Sequence, residues 1–153
     1  MEEICVVLHD IRSSENVGSI FRTADAAGVL KIYLTGYTPS PKDRFGRPNA
    51  RLVKAALGAE ISVEWQRAEL SILRKTLKEE GKEFVAVEQS ARSISYTEWK
   101  MKGPTAFVFG NEVDGLSEDV LGFSDSVIEI PMRGEKESLN VAVAAGIILF
   151  EYQ

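Results

Sequence analysis

Residues Val141-Ala-Val-Ala-Ala-Gly-Ile-Ile-Leu-Phe150 form an apolar run broken by no polar side chain. Before it, a strand-like Ile128-Glu-Ile130 stops at Pro131, because proline has no N–H to offer a sheet. A charged loop follows, and Asn140, a residue type favoured at helix N-caps, opens a helix. A surface helix carries a polar stripe; this one has none, so it must be buried on nearly all sides. At the end of a small chain, such burial predicts a helix wedged between its own core and another subunit. The loop that feeds it is then held rigidly, as a binding site requires.

A chain of 153 residues is expected to form one domain, residues 1–153, with a core of its own. The lone Cys5 excludes an internal disulfide, and no Cys/His cluster has metal-ligand spacing, so no metal is expected. His9 is the only histidine, which leaves a histidine-based triad only if His9 itself serves. The chain opens on no basic-then-apolar leader pattern, and its longest apolar run is too short to span a bilayer. A soluble cytoplasmic protein with no membrane partner is the expectation. The formal charge is −5, but it is unevenly spread. Lys31, Lys42, Arg44, Arg47, Arg51 and Lys54 face a single acid, Asp43, across residues 31–54. A basic loop on an acidic body suits a phosphate ligand approached from one side; a solvated surface loop accounts for it equally well.

Apolar runs and their punctuation predict strands at Ile4–Leu8, Lys31–Thr35, Ile61–Trp65, Phe84–Val87, Thr105–Phe109 and Val127–Ile130. Helices are expected at Val17–Ala27, Arg51–Leu57, Ala68–Glu80, Ser117–Leu121 and from Asn140 onward. Three prolines within residues 37–50 predict a long irregular loop. Alternation of strand and helix predicts a parallel α/β sheet covered on both faces, with ligands outside the carboxyl ends of its strands.

Three polar clusters fall at such ends: Asn16 to Ala24 with Arg22, Phe109 to Ser117 with Gly110 and Glu112, and Pro131 to Asn140 with Ser138. Each has a plain structural account. Arg22 is then a surface arginine with a buried stem, the second cluster a connecting loop with Ser117 as N-cap, and the third a helix cap. Together at one sheet edge they are less easily set aside. No G-x-x-x-x-G-K-[ST] loop, no G-x-G-x-x-G after the first strand and no G-x-S-x-G elbow is present, which counts against an NTPase, a dinucleotide dehydrogenase and a serine hydrolase.

The order N-x-G-x-x-x-R-T-A (Asn16 to Ala24), F-G-N-E-x-x-G-L-S (Phe109 to Ser117) and I-x-I-P-M…S-L-N-x-A-x-A (Ile128 to Ala144) resembles the three motifs of the SpoU/TrmH-type RNA methyltransferases over nearly the whole chain. The resemblance implies an α/β fold with a mostly parallel sheet flanked by helices and a C-terminal trefoil (α/β) knot. It implies a homodimer through the knot region, including the C-terminal helix, and S-adenosylmethionine bound in the knot. The implied activity is 2′-O-methylation of a ribose in tRNA or rRNA. The cofactor's adenosine would lie against Val87, Gly110, Ile130 and Leu139, with Ser138 nearby. The family's catalytic arginine falls on Arg22, and its supporting polar residues on Asn16, Glu112, Ser138 and Asn140. Arg22 would act as a base, or as a clamp for phosphate or developing alkoxide charge. With a first strand at Ile4 and nothing beyond the terminal helix, no N- or C-terminal RNA-binding extension is expected. RNA contact would then rest on the dimer surface, Arg22 and the basic residues Lys42, Arg44, Arg47, Arg51 and Lys54. One rival is a catalytically silent RNA-binding or assembly protein on the same fold, which the intact Arg22, Asn16, Glu112, Ser138 and Asn140 count against. The other is a flavodoxin-like nucleotide-binding protein.

Overall fold

The apolar run near the start becomes strand β1 (Ile4–His9) in a computed structural model that describes residues 2–153. Six further strands join it: β2 (Lys31–Thr35), β3 (Glu64–Ala68), β4 (Glu83–Val87), β5 (Ile94–Ser95), β6 (Thr105–Phe109) and β7 (Ser126–Glu129). They form one sheet in the order β3-β2-β1-β6-β4-β7-β5 with every pairing parallel. Helices α1 (Ser14–Ala27), α2 (Ala50–Ala56), α3 (Ala59–Ser62), α4 (Leu70–Glu79), α5 (Glu118–Phe123) and α6 (Val141–Tyr152) cover it.

Side chains alternate across a strand, so β1 feeds two cores. Ile4, Val6 and Leu8 face α1, α2, α3 and α6, together with Ile32, Leu34, Phe107 and Ile128. Cys5 and Val7 face α4 and α5, together with Tyr33, Ala106, Val108 and Val127. Burial on both faces is why the inner strands read as continuous apolar runs. The register sets Leu8 opposite Leu34 and Phe109, Ala86 opposite Val108, and Val87 opposite Ile128. The carboxyl ends of the central strands are therefore level along one edge.

Helix α6 buries Val141, Ala145, Ile148 and Leu149, a stripe at helical spacing. Its far end is pinned by Tyr152, whose ring stacks on Phe107 at 5.4 Å and meets Trp99 edge-on at 5.3 Å. The Tyr152 hydroxyl donates to the backbone carbonyls of Tyr96 and Trp99, and burial pushes it up to about 12. The expectation of burial on nearly all sides is met within one chain only on that stripe. Val143 and Phe150 stay 51% and 47% exposed, leaving an apolar face with no cover from its own chain.

Two other expectations are corrected. The strand placed at Ile61–Trp65 lies three residues later, at Glu64–Ala68. Gly58, at φ 92°, starts the helical turn α3, Ser62 Oγ donates to Asp25 on α1, and Ile61 is left in solvent. The Ile61/Val63/Trp65 alternation therefore straddles a turn and an edge strand. In addition, no helix separates β4, β5 and β6; the polar stretch after β4 contains the two-residue strand β5 instead.

Candidate functional site

Strands β4, β6 and β7 end at Val87, Phe109 and Glu129, and the chain beyond each exit contributes to one cleft. Its volume is about 140 Å³. Val87, Gly110, Ile130, Ser138 and Leu139 line it, as the resemblance implies for a cofactor site. The wall opposite the strand ends is the loop 131–140. That loop is tethered by Gln89, whose side-chain amide donates to the Glu137 carbonyl at 2.7 Å.

The floor is the turn after β6. Asn111 Oδ1 accepts from the N–H groups of Val113 and Asp114, both at 2.8 Å, and the Gly115 N–H donates to the Asn111 carbonyl. Gly115 adopts φ 66°, a left-handed conformation that other residues enter at a cost. A side chain at Gly110 would put its Cβ 2.7 Å from the carbonyl carbon of Gly115, so the turn closes only over glycine. Glu88, directly after β4, accepts from the Leu116 N–H at 2.9 Å and from the Gln89 N–H at 3.0 Å. Asn111 Nδ2 reaches outward to the Asp10 carbonyl and the Tyr37 hydroxyl.

Glu112 ties this turn to the other clusters. Its Oε1 accepts from the Arg12 N–H and its Oε2 from the Ser13 N–H, both at 2.9 Å, and Oε2 also takes the Asn16 amide at 3.2 Å. Asn16 Oδ1 accepts from Asn140 Nδ2 at 3.1 Å, and Asn140 Oδ1 caps α6 through the N–H groups of Ala142 and Val143. Burial alone would raise the Glu112 carboxyl. The N–H groups of Arg12, Ser13 and Glu112 itself and the Asn16 amide outweigh it, so the carboxyl lies below its ordinary value. Asn16, Glu112 and Asn140 are thus brought together, joining the ends of β1, β6 and the 131–140 loop.

Arg22 is not part of that group. It lies exposed on α1, about 240° around the helix from Asn16 at 100° per residue. It makes no hydrogen bond or ion pair among the described residues. Of the basic segment, Lys42, Arg44, Arg47, Arg51 and Lys54 are exposed on or just after the loop that leaves β2. Lys31 does not belong with them: it starts β2, at the opposite edge of the sheet, and pairs with Glu64 at 2.8 Å. His9 bonds Thr35 Oγ1 at 2.9 Å outside the cleft lining, and Cys5 is buried in the sheet. No cluster of His, Cys, Asp and Glu able to hold a metal occurs among the described residues, and no helix there is long and apolar enough to cross a membrane. Sequence reasoning missed Glu88 and Gln89, although a carboxylate at the exit of a predicted strand is a signal of the kind that picked out Glu112.

The fold and the cleft define a class of protein. Residues 3–150 match the model of the SpoU rRNA Methylase family, and the chain belongs to that family. It is 40% identical over 149 residues to the 23S rRNA (guanosine-2′-O-)-methyltransferase RlmB of Vibrio parahaemolyticus, covering 97% of this chain and 58% of that protein. The AdoMet-bound rRNA methyltransferase of Sinorhizobium meliloti superposes with a TM-score of 0.89 at 33% identity, over 99% of this chain and 56% of that one. The A. aeolicus TrmH/SpoU tRNA modifying enzyme does so with a TM-score of 0.83 at 31% identity, over 99% of this chain and 74% of that one. The chain therefore spans little more than half the length of the curated relatives it matches.

Proposed function

We propose that this chain is the methyl-transferring domain of an S-adenosylmethionine-dependent RNA ribose-2′-O methyltransferase, acting as a homodimer with rRNA as the first substrate class to test. The observation that carries the reading is the cleft at the exits of β4, β6 and β7, walled by the loop 131–140 and joined to α1 through Glu112, Asn16 and Asn140. Its chemistry suits the cofactor. Val87, Ile130 and Leu139 offer apolar surface to an adenine, while the turn at Gly110 and the loop beside Ser138 expose backbone to its polar edge. Glu88 and Glu112 are among the residues lining the cleft, so it carries negative charge, the sign that suits a cationic sulfonium. Bound there, S-adenosylmethionine supplies an electrophilic methyl group.

What this chain must add is alignment of the attacking ribose oxygen and accommodation of the charge that develops on it. Glu112, Asn16 and Asn140 hold the cleft wall and the start of α6 in fixed relation. Arg22 is assigned to the substrate. The role given to it is binding an RNA phosphate or the developing alkoxide, which the five-donor fork of a guanidinium matches. Arg22 stands away from the cleft of its own chain, and the uncovered face of α6 runs alongside α1. A second copy docked on Val143 and Phe150 would cover that face and bring an Arg22 towards a cleft. A trefoil knot formed by the C-terminal segment belongs to the same reading, as do Lys42, Arg44, Arg47, Arg51 and Lys54 as phosphate contacts.

The test is transfer of tritiated methyl from S-adenosylmethionine to total RNA lacking the modification, with ribose-methylation mapping of the product. Wild type is expected to label RNA at a ribose. Arg22→Ala is expected to lose at least about 100-fold in turnover, in the range of a lost electrostatic contact, with cofactor affinity by calorimetry unchanged. Cofactor binding without transfer by wild type would favour the catalytically silent RNA-binding rival, and undiminished turnover in Arg22→Ala would remove that residue from the mechanism.

A further inference from the structure

The loop 41–49 is shaped from within. Lys42 and Pro48 form an isolated antiparallel bridge, and the Asp43 N–H donates to the Arg47 carbonyl at 2.9 Å. Asp43 Oδ1 accepts from the N–H groups of Phe45 and Arg47, at 2.8 and 2.9 Å, and Oδ2 from Arg47 Nε at 2.8 Å. At the tip stands Phe45, 67% exposed. An aromatic ring held out on a preformed turn contributes nothing to the core. Its neighbours are cations: the guanidinium carbons of Arg44 and Arg47 lie 4.8 and 5.2 Å from the ring centroid. Arg47 is fixed by Asp43, while Arg44 has no hydrogen bond or ion pair among the described residues and is free to swing off the ring.

The chain on either side of the loop is tied down near the site. Four residues before it, the Tyr37 hydroxyl accepts from Asn111 of the cleft floor at 2.8 Å. At its end, Asn49 Nδ2 donates to Ser14 Oγ at 2.9 Å, two residues from Asn16. The loop is thereby anchored to the elements that carry the cleft floor and the start of α1.

We propose that Phe45 is a base-stacking residue, taking an unpaired RNA base on its ring while Arg44 and Arg47 meet the phosphates beside it. The inference rests on, and deepens, the reading of this chain as an RNA methyltransferase domain. Single-stranded RNA is the occupant because its two faces are the ones presented here. An unpaired base offers a π-surface, and its backbone offers charge to Lys42, Arg44 and Arg47. From Lys42 to Arg47, Phe45 is the one apolar side chain, so an apolar protein knob would meet cations on either side of it. Duplex RNA hides its base faces and has only the cations to meet.

The probe is a short fluorescein-labelled single-stranded RNA of mixed sequence, followed by anisotropy at several salt concentrations, with its annealed duplex as comparison. Phe45→Ala is expected to weaken single-strand binding about tenfold, within the range for loss of one base–aromatic stack, leaving the slope of log affinity against log salt unchanged. Phe45→Trp is expected to restore affinity and Phe45→Leu is not. Arg44→Ala is expected to reduce the salt slope by about one unit. A 2-aminopurine in the probe is expected to be quenched by wild type and by Phe45→Trp only. Wild-type affinity in Phe45→Ala, equal rescue by Leu and Trp, or an unquenched probe overturns the stacking role alone. Failure of wild type to bind RNA while it binds S-adenosylmethionine overturns the RNA-substrate reading and this inference with it.

Discussion

Two carboxylates organise two loops in opposite ways. Glu112 draws its donors from Arg12, Ser13 and Asn16, about a hundred residues away in sequence, in a partly buried setting. Asp43 draws its donors from Phe45 and Arg47 in its own turn, in water. Both carboxyls are held below their ordinary values. For Asp43 the first cause is the Arg47 backbone N–H; for Glu112, hydrogen bonds overcome an opposing burial effect. The contrast separates assembly from presentation. Glu112 joins segments distant in sequence, beside the Asn111 bond to the Asp10 carbonyl, so its loss is felt across the site. Asp43 gives a local loop its shape, so its loss is felt only there.

The sharpest way to break this contrast is an amide at each position. In Glu112→Gln, one end of the side chain becomes an NH₂ group, and either orientation points it at an N–H, of Arg12 or of Ser13. The expected loss is about 1 kcal/mol of stability, the scale of a hydrogen bond lost in a partly buried setting, with weaker S-adenosylmethionine binding, read by denaturant melts and calorimetry. Equal stability to wild type would show that Glu112 is dispensable for assembly.

Acid is expected to act on the same bond with a smaller effect. A carboxyl whose folded value is depressed contributes stability above its unfolded value, near 4.5 for Glu112, and loses it as pH falls through the lower folded value. The stability difference between wild type and Glu112→Gln should therefore be constant above pH 4.5 and shrink below it, as followed by denaturant melts at stepped pH. The smallest effect is expected for Asp43→Asn. Its Oδ1 still accepts from Phe45 and Arg47, and only the solvent-exposed contact to Arg47 Nε is lost. Its Tm in scanning calorimetry should match wild type. A drop comparable to that of Glu112→Gln would erase the distinction between the two loops.

Much of this was legible in the residues. The apolar runs of β1, β2 and β6 lie where expected because strands buried on both faces carry no competing pattern. Asn140 announces the α6 cap, and the glycines of the turn after β6 mark a close approach of backbone. Edge strand β3 was displaced, because an exposed strand and a helical turn share the same sparse apolar spacing around Ile61 and Val63. Strand order was not legible: Thr105–Phe109 carries no mark that it sits between β1 and β4. The same holds for Arg22: its spacing from Asn16 sets it on another side of α1, but nothing in the motif says what that side faces. Phe45 was passed over because a lone aromatic in a proline-rich loop becomes meaningful only when its Asp43-centred turn is seen.

The bond from Asn140 to Asn16 spans 124 residues of chain. Central strand β1 likewise waits about a hundred residues for its neighbour β6. Such distant closures are entropically late events in folding. During synthesis from the N-terminus, β1 to β3 can pair long before the cleft has a wall, and only the arrival of α6 completes it. On the reading proposed above, a chain that captures S-adenosylmethionine is one whose folding has reached α6 and closed the Asn140–Asn16 contact.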